Sequence, residues 1–139
     1  MFVFHQKLIV EWGDCDPAGI VFYPRYFAMF DTSTALMFAA AGFSQQEMQR
    51  GTGFVGWPMV DTRAKFYIPS AYGDEVEIES RVTAWRRSSF DLEHHIRRGT
   101  EIAVEGFETR VWTYRHEHDP KRLKSQPVPA EVIARFSQP

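Results

Sequence analysis

Asp14-Cys15-Asp16 puts two carboxylates and the only thiol of the chain into three consecutive positions. They lie within Trp12-Gly13-Asp14-Cys15-Asp16-Pro17-Ala18-Gly19-Ile20-Val21-Phe22-Tyr23-Pro24. A useful thiolate needs positive surroundings to lower its pKa, and carboxylates on both sides act the other way. Cys15 therefore reads as a small buried side chain, with His5, His94 and His95 as the histidines that folding could bring towards it. An aspartate can attack an acyl carbon directly or deprotonate a water. It can equally shape a turn or cap a helix. A cation site is disfavoured, because no further acidic cluster follows the pair to complete a shell, and neither a metal nor another cofactor is expected. What tips the balance towards chemistry is the helix that begins just after. Backbone N–H groups near Phe22 and Tyr23 are expected to be unpaired, at the positive end of the helix dipole. Such donors stabilise a developing oxyanion, each worth roughly 10²–10³ in rate. Pro24 has no N–H to give, so the donor is placed at Tyr23.

The elements that must hold this stretch are legible on either side. Phe2–Glu11 is β-rich and partly alternating, and predicts a strand. Pro24 to about Ala41, closed by Gly42, predicts a long helix that is apolar nearly all round, with Arg25 and Asp31 its only charges. So little polar surface places this helix in the interior, wrapped by something else. Ser44–Arg50 predicts a short helix with Ser44 as N-cap and Glu47 completing a capping box. Four strands follow: Val60–Ile68, Val76–Ala84, Phe90–Ile96 and Ile102–Arg115, the last with Gly106 as a candidate bulge. Pro129–Phe136 predicts a turn or two of terminal helix. Successive strands joined by short turns pair antiparallel, so the class is α+β: about five antiparallel strands with one apolar helix covering a face. With no internal repeat or linker, residues 1–139 are expected to form one domain.

Composition narrows the partners. Sixteen basic residues against 18 acidic ones give a formal charge of −2, which excludes general nucleic-acid binding through a basic face. One cysteine excludes an internal disulfide and fits a reducing compartment, with the cytoplasm as the default. The early charges His5, Lys7 and Glu11 leave no apolar core for a signal peptide, and no apolar run is long enough to span a membrane. Twelve Phe, five Tyr and four Trp are many for 139 residues and point to a subunit interface or a ligand pocket.

The run from Gly13 to Pro24, together with Val55-Gly56-Trp57-Pro58 and Trp85-Arg86-Arg87-Ser88-Ser89-Phe90, resembles the pseudomonad-type 4-hydroxybenzoyl-CoA thioesterases of the hotdog-fold superfamily. The likeness covers nearly the whole chain. Its first motif recurs across acyl-CoA thioesterases of this superfamily, whereas the tryptophan-arginine-arginine motif is more particular to the aromatic branch. The resemblance implies a curved antiparallel sheet around one long helix. It implies hydrolysis of an acyl-CoA, most readily an aromatic one, with Asp16 as nucleophile or general base and the Tyr23 amide as oxyanion donor. Asp31 would face the ring hydroxyl of the substrate across a subunit boundary, and Arg86 and Arg87 would meet the phosphates of coenzyme A. A homotetramer built as a dimer of dimers, with sites at dimer interfaces, is implied as well.

Each of these roles has a plainer alternative. Asp31 is free to face water, and Arg86 and Arg87, read as neighbours on a strand and hence on opposite faces, can pair with nearby carboxylates. His94 and His95 read as one core and one solvent histidine. The chain departs from the family at Phe22, where tryptophan is usual, at Trp57, where a small hydroxyl residue is usual, and at Ser88, which replaces a lysine. The first two alter the walls of the acyl pocket and the third removes a phosphate contact. Substrate identity therefore stays open, with short aliphatic acyl-CoA esters as the alternative. A non-catalytic acyl-CoA binding module on the same fold is the competing class, and a dehydratase ranks last because no histidine lies between Trp12 and Val60.

Overall fold

The computed structural model describes residues 1–139. Strand β1 (Val3–Ile9) leads through a 3₁₀ turn (Trp12–Asp14) into helix α1 (Tyr23–Ala40), and a short helix α2 (Gln45–Gln49) follows. Next come β2 (Phe54–Gly56), β3 (Met59–Phe66), β4 (Glu75–Trp85), β5 (Ser89–Arg98), β6 (Glu101–Val111), β7 (Thr113–Arg115), β8 (Leu123–Ser125) and helix α3 (Ala130–Phe136). The five long strands form an antiparallel sheet in the order β1-β4-β5-β6-β3. This is the α+β arrangement expected, with α1 laid against one face of the sheet. The single last strand read from the sequence divides at Trp112. Its final piece, β7, leaves the main sheet and pairs with β2 and β8 in a second sheet of three strands.

Alternation decides what faces the helix. Val76, Ile78, Ser80 and Val82 of β4 are buried, as are Phe90, Leu92, His94 and Ile96 of β5. On α1 the residues turned inward are Tyr26, Phe30, Ser33, Thr34, Met37 and Phe38. Successive turns of the helix thus meet successive layers of the sheet. Phe30 belongs to an apolar cluster with Val10, Ile78, Ile96 and Val104. Met37 and Phe38 belong to a second, with Trp57, Phe90, Leu92 and Trp112. Between the two lies a polar layer of Ser33, Thr34, Ser80, His94, Glu108 and Arg110, all buried. The helix is less enclosed than its composition predicts, since Ala28, Leu36, Ala39 and Ala40 remain exposed on its outer side.

Gly106 is not a bulge. It sits in regular register between His94 of β5 and Ala64 of β3. Phe30 lies so close above it that a Cβ would overlap the ring, with Cζ 2.7 Å away. The ring also stacks on His94 at a centroid distance of 4.8 Å. A glycine here is what lets the helix approach the sheet. The edge strand β3 forms where its alternation predicts a strand, but it is mostly exposed on both faces.

Candidate active site

The acidic stretch folds as a small hairpin. Cys15 pairs with Val21 in an antiparallel bridge, Asp16 N–H donates to the Ile20 carbonyl (2.9 Å), and Phe22 N–H donates to the Asp14 carbonyl (2.8 Å). Asp16 occupies the turn. Its Oδ1 accepts from the Ala18 N–H at 2.8 Å, an Asx turn, while the other oxygen has no partner within the chain. The turn-forming and chemical readings of this aspartate are therefore compatible. Asp14 has a different job: its Oδ2 accepts from the Glu11 N–H (2.9 Å) and locks the 3₁₀ turn. Cys15 points its Sγ towards the Glu11 carbonyl (3.7 Å) and packs against the core beside α1.

The hairpin exits directly into α1. Phe22 is its N-cap and supplies no side-chain cap, so the first donors of the helix are left to the backbone. The Tyr23 N–H has no acceptor in the chain. Phe22 and Tyr23 are both exposed, their rings meeting edge to face at 5.6 Å. Asp16 lines a cavity of about 390 Å³ with Trp12, Cys15, Pro17, Gly19 and Tyr72. Tyr23 lines a neighbouring one of about 200 Å³, walled by Ile20, Tyr26, Phe66 and Ile68. Gly19 lines the first and the next residue, Ile20, the second, and both are open to solvent.

A third cavity, of about 280 Å³, holds Asp31 and Trp57 together with Ala35, Val55, Gly56 and Arg110. Asp31 does face outward, its side chain 67% exposed, yet it is not alone. Arg110 of β6, 4% exposed, donates from Nη2 to Asp31 Oδ1 at 2.8 Å. The same guanidinium donates from Nε to Glu108 Oε2 (2.7 Å) and from Nη1 to the Trp57 carbonyl (3.2 Å). Burial would push the Glu108 carboxyl up, but the His94 imidazole and the Arg110 guanidinium beside it overcome this and hold it at about 2. Glu108 Oε1 lies 3.2 Å from His94 Nε2, a close polar contact that is not aligned as a hydrogen bond. Trp57 is 5% exposed and stacks on Phe38 (4.2 Å), so it is a core residue first and a cavity wall second. The backbone around it is held by α2, whose Gln45 and Gln49 both donate to the Val55 carbonyl (2.9 and 2.8 Å).

Arg86 and Arg87 are not on a strand. β4 ends at Trp85, and the pair occupies the turn before β5. Arg86 is engaged: its Nη1 and Nη2 grip the two oxygens of Asp91 (3.0 and 2.5 Å) and its Nε donates to Ser89 Oγ (2.8 Å). Those hydrogen bonds hold the Asp91 carboxyl below its ordinary range. Arg87 is exposed, and its guanidinium makes no ion pair or hydrogen bond. His94 is fully buried, whereas His95, on the opposite face of β5, is half-buried among Glu79, Glu93 and Glu105. Glu108 and Arg110 escape a reading of the sequence for catalytic motifs. The available signal is their phase, since both fall in step with the core residue Val104 along β6.

Residues 10–136 match the family model described as the thioesterase-like superfamily, and the chain belongs to that family. It is 35% identical over 132 residues to the 4-hydroxybenzoyl-CoA thioesterase of Pseudomonas sp. strain CBS-3, a match covering 89% of this chain and 90% of that one. Among solved structures, a mutant 4-hydroxybenzoyl-CoA thioesterase complexed with 4-hydroxybenzoyl-CoA superposes with a TM-score of 0.90 at 30% identity, covering 98% of this chain and 99% of that one. A gentisyl-coenzyme A thioesterase superposes with a TM-score of 0.81, also at 30% identity, covering 98% and 99% of the two chains. The hotdog fold expected from the sequence motifs is the fold these neighbours share. No helix of the chain is long and apolar enough to cross a membrane.

Proposed function

We propose that this chain is an acyl-CoA thioesterase whose substrate carries a hydroxylated aromatic acyl group, as in 4-hydroxybenzoyl-CoA. The observation that carries the chemistry is the hairpin: Asp16 has one oxygen tied to the Ala18 N–H and the other free, and the chain leads within seven residues to the unpaired Tyr23 N–H. Asp16 acts on the thioester carbonyl, either by direct attack to give an anhydride or by taking a proton from water. The Tyr23 amide, at the positive end of α1, receives the negative charge that develops on the carbonyl oxygen. On the first route the thiolate of coenzyme A departs to leave an Asp16–acyl anhydride, which one water hydrolyses to the acid and the free carboxylate. On the second the water adds to the carbonyl first, and departure of the thiolate leaves the acid directly.

The aromatic assignment is supported by similarity to two thioesterases acting on hydroxylated aromatic acyl groups. It is supported also by the cavity where Asp31 offers an acceptor beside the buried indole of Trp57, with Phe22 as a further wall near the hairpin. Arg87, with Arg86 behind it, supplies charge for the phosphates of coenzyme A. Assembly through dimers into a tetramer, with sites at dimer interfaces, is supported by the open Asp16 and Tyr23 cavities. Exposed Val60, Phe66 and Tyr67 beside the unpaired edge of β3 point the same way. Residues 1–139 are taken as one domain, and the lone thiol favours the cytoplasm as its compartment.

A panel of acyl-CoA esters assayed by thiol release tests this reading. Hydroxybenzoyl esters are expected to give the highest kcat/KM. If aliphatic esters outperform every aromatic one, the acyl assignment fails while thioesterase activity stands. Saturable binding of the esters without thiol release would instead identify a binding module.

A further inference from the structure

Asp31 is a surface carboxylate on a helix, and such groups are ordinarily mobile, with ion pairs worth little. Its partner here is of another kind. The Arg110 guanidinium is buried and pinned at three nitrogens, by Glu108, by the Trp57 carbonyl and by Asp31 itself. Glu108 is pinned in turn by the Thr34 hydroxyl (3.3 Å) and lies against His94, which is fixed through Ser80 (2.7 Å) to Ser33 (2.7 Å). The positive charge of Arg110 is therefore already compensated in the interior by Glu108, and its burial does not require Asp31. What the third contact adds is placement of Asp31. One oxygen is held against the guanidinium, and the other is left without a partner on the wall of the 280 Å³ cavity. The bond to the Trp57 carbonyl ties the opposite wall, Val55–Pro58, to the same side chain. An apolar cavity of about 150 Å³ is enough to hold benzene, so a hydroxylated ring fits between these walls.

We propose that Arg110 is a positioning residue that determines acyl specificity: it fixes Asp31 as a hydrogen-bond acceptor and sets the spacing of both cavity walls, so that the pocket selects acyl groups bearing a distal hydroxyl. The proposal rests on the reading of Asp31 as a residue that faces the acyl group. Lysine at position 110 keeps the charge opposite Glu108 but cannot span three acceptors. The experiment compares kcat/KM for 4-hydroxybenzoyl-CoA and benzoyl-CoA in the wild type, Asp31→Ala, Arg110→Lys and the double variant. Arg110→Lys is expected to reduce the preference for the hydroxylated ester at least tenfold, chiefly through its KM. In the Asp31→Ala background the same change is expected to leave the preference where Asp31→Ala already puts it. Equal losses on both esters in Arg110→Lys, with the preference intact, would reduce Arg110 to a structural residue and overturn the proposal. An unchanged preference in Asp31→Ala would remove the underlying reading itself, and the proposal with it.

A second variant leaves Arg110 untouched and so does not depend on the folding of an altered core. Asp31→Asn keeps an oxygen for the guanidinium and turns the cavity-facing atom into a donor. If Arg110 orients the side chain, 4-methoxybenzoyl-CoA, whose ether oxygen only accepts, gains at least fivefold relative to 4-hydroxybenzoyl-CoA. An unchanged kcat/KM ratio of the two esters would overturn the proposal.

Discussion

Arg86 grips Asp91 with both terminal nitrogens and leaves its neighbour Arg87 as the free cation of the β4–β5 turn. The two arginines, identical in the motif, are unequal in the fold. Arg87→Ala is expected to raise KM for acyl-CoA esters about tenfold or more, the scale of one charge-assisted hydrogen bond to phosphate. Arg86→Ala is expected to have the smaller effect, since its guanidinium serves the turn. Thioesters of pantetheine, which lack the nucleotide phosphates, separate binding from folding: if Arg87→Ala weakens them just as much, Arg87 does not meet the phosphates.

Asp16→Asn keeps an oxygen to accept from the Ala18 N–H and so preserves the hairpin, but it can neither attack nor take a proton. Turnover is expected to fall by about 10³, within the 10²–10⁴ range of general-base catalysis, and by more than about 10⁴ if Asp16 attacks directly. Binding of the ester, measured by calorimetry, is expected to change little. Near-normal thiol release from this variant would move the chemistry elsewhere.

Gly106→Ala is expected to destabilise the chain by about 1–3 kcal/mol, the cost of overpacking, because the added methyl meets the Phe30 ring. The ring has no easy retreat while it is stacked on His94. Urea unfolding measures the loss, and Phe30→Leu in the same chain is expected to recover part of it. Additive effects of the two changes would show that the clash is not the cause.

Glu108 links stability to acid. Its carboxyl sits at about 2 in the fold against an ordinary 4.5, so the unfolded chain binds the proton more tightly between those values. The contribution, on the order of 3 kcal/mol, is fully present above about pH 4.5 and is lost as the pH falls towards 2. Glu108→Gln lowers stability at neutral pH by leaving Arg110 without its buried counter-charge. It should also flatten the acid limb of a stability-against-pH curve. Parallel acid limbs in variant and wild type would assign the acid sensitivity to other carboxylates.

Much of this fold is legible because period and punctuation agree. Val76–Val82 and Phe90–Ile96 alternate cleanly, and Pro24 and Gly42 bracket α1 where Tyr23–Ala40 forms. The failures have physical causes. The break at Trp112 is invisible because the residues on either side are equally good strand formers, and only the presence of β2 and β8 decides that β7 leaves the main sheet. Gly106 invites a bulge by composition, yet its reason lies across the core in Phe30. For the site, the hairpin is local and its residues are found from their spacing. The Asp31–Arg110 pair joins residues 79 positions apart, and no local pattern announces it.

The Asx turn at Asp16 makes the two oxygens of that carboxylate inequivalent. A free aspartate rotates and presents either one; here a backbone amide withdraws Oδ1 and stops the rotation. The torsional freedom that a reacting side chain would lose on reaching its target is thus given up earlier, when the hairpin folds. In the proposed mechanism the mobility of residues 16–18 is a kinetic variable, because a looser turn would blunt the carboxylate without removing it.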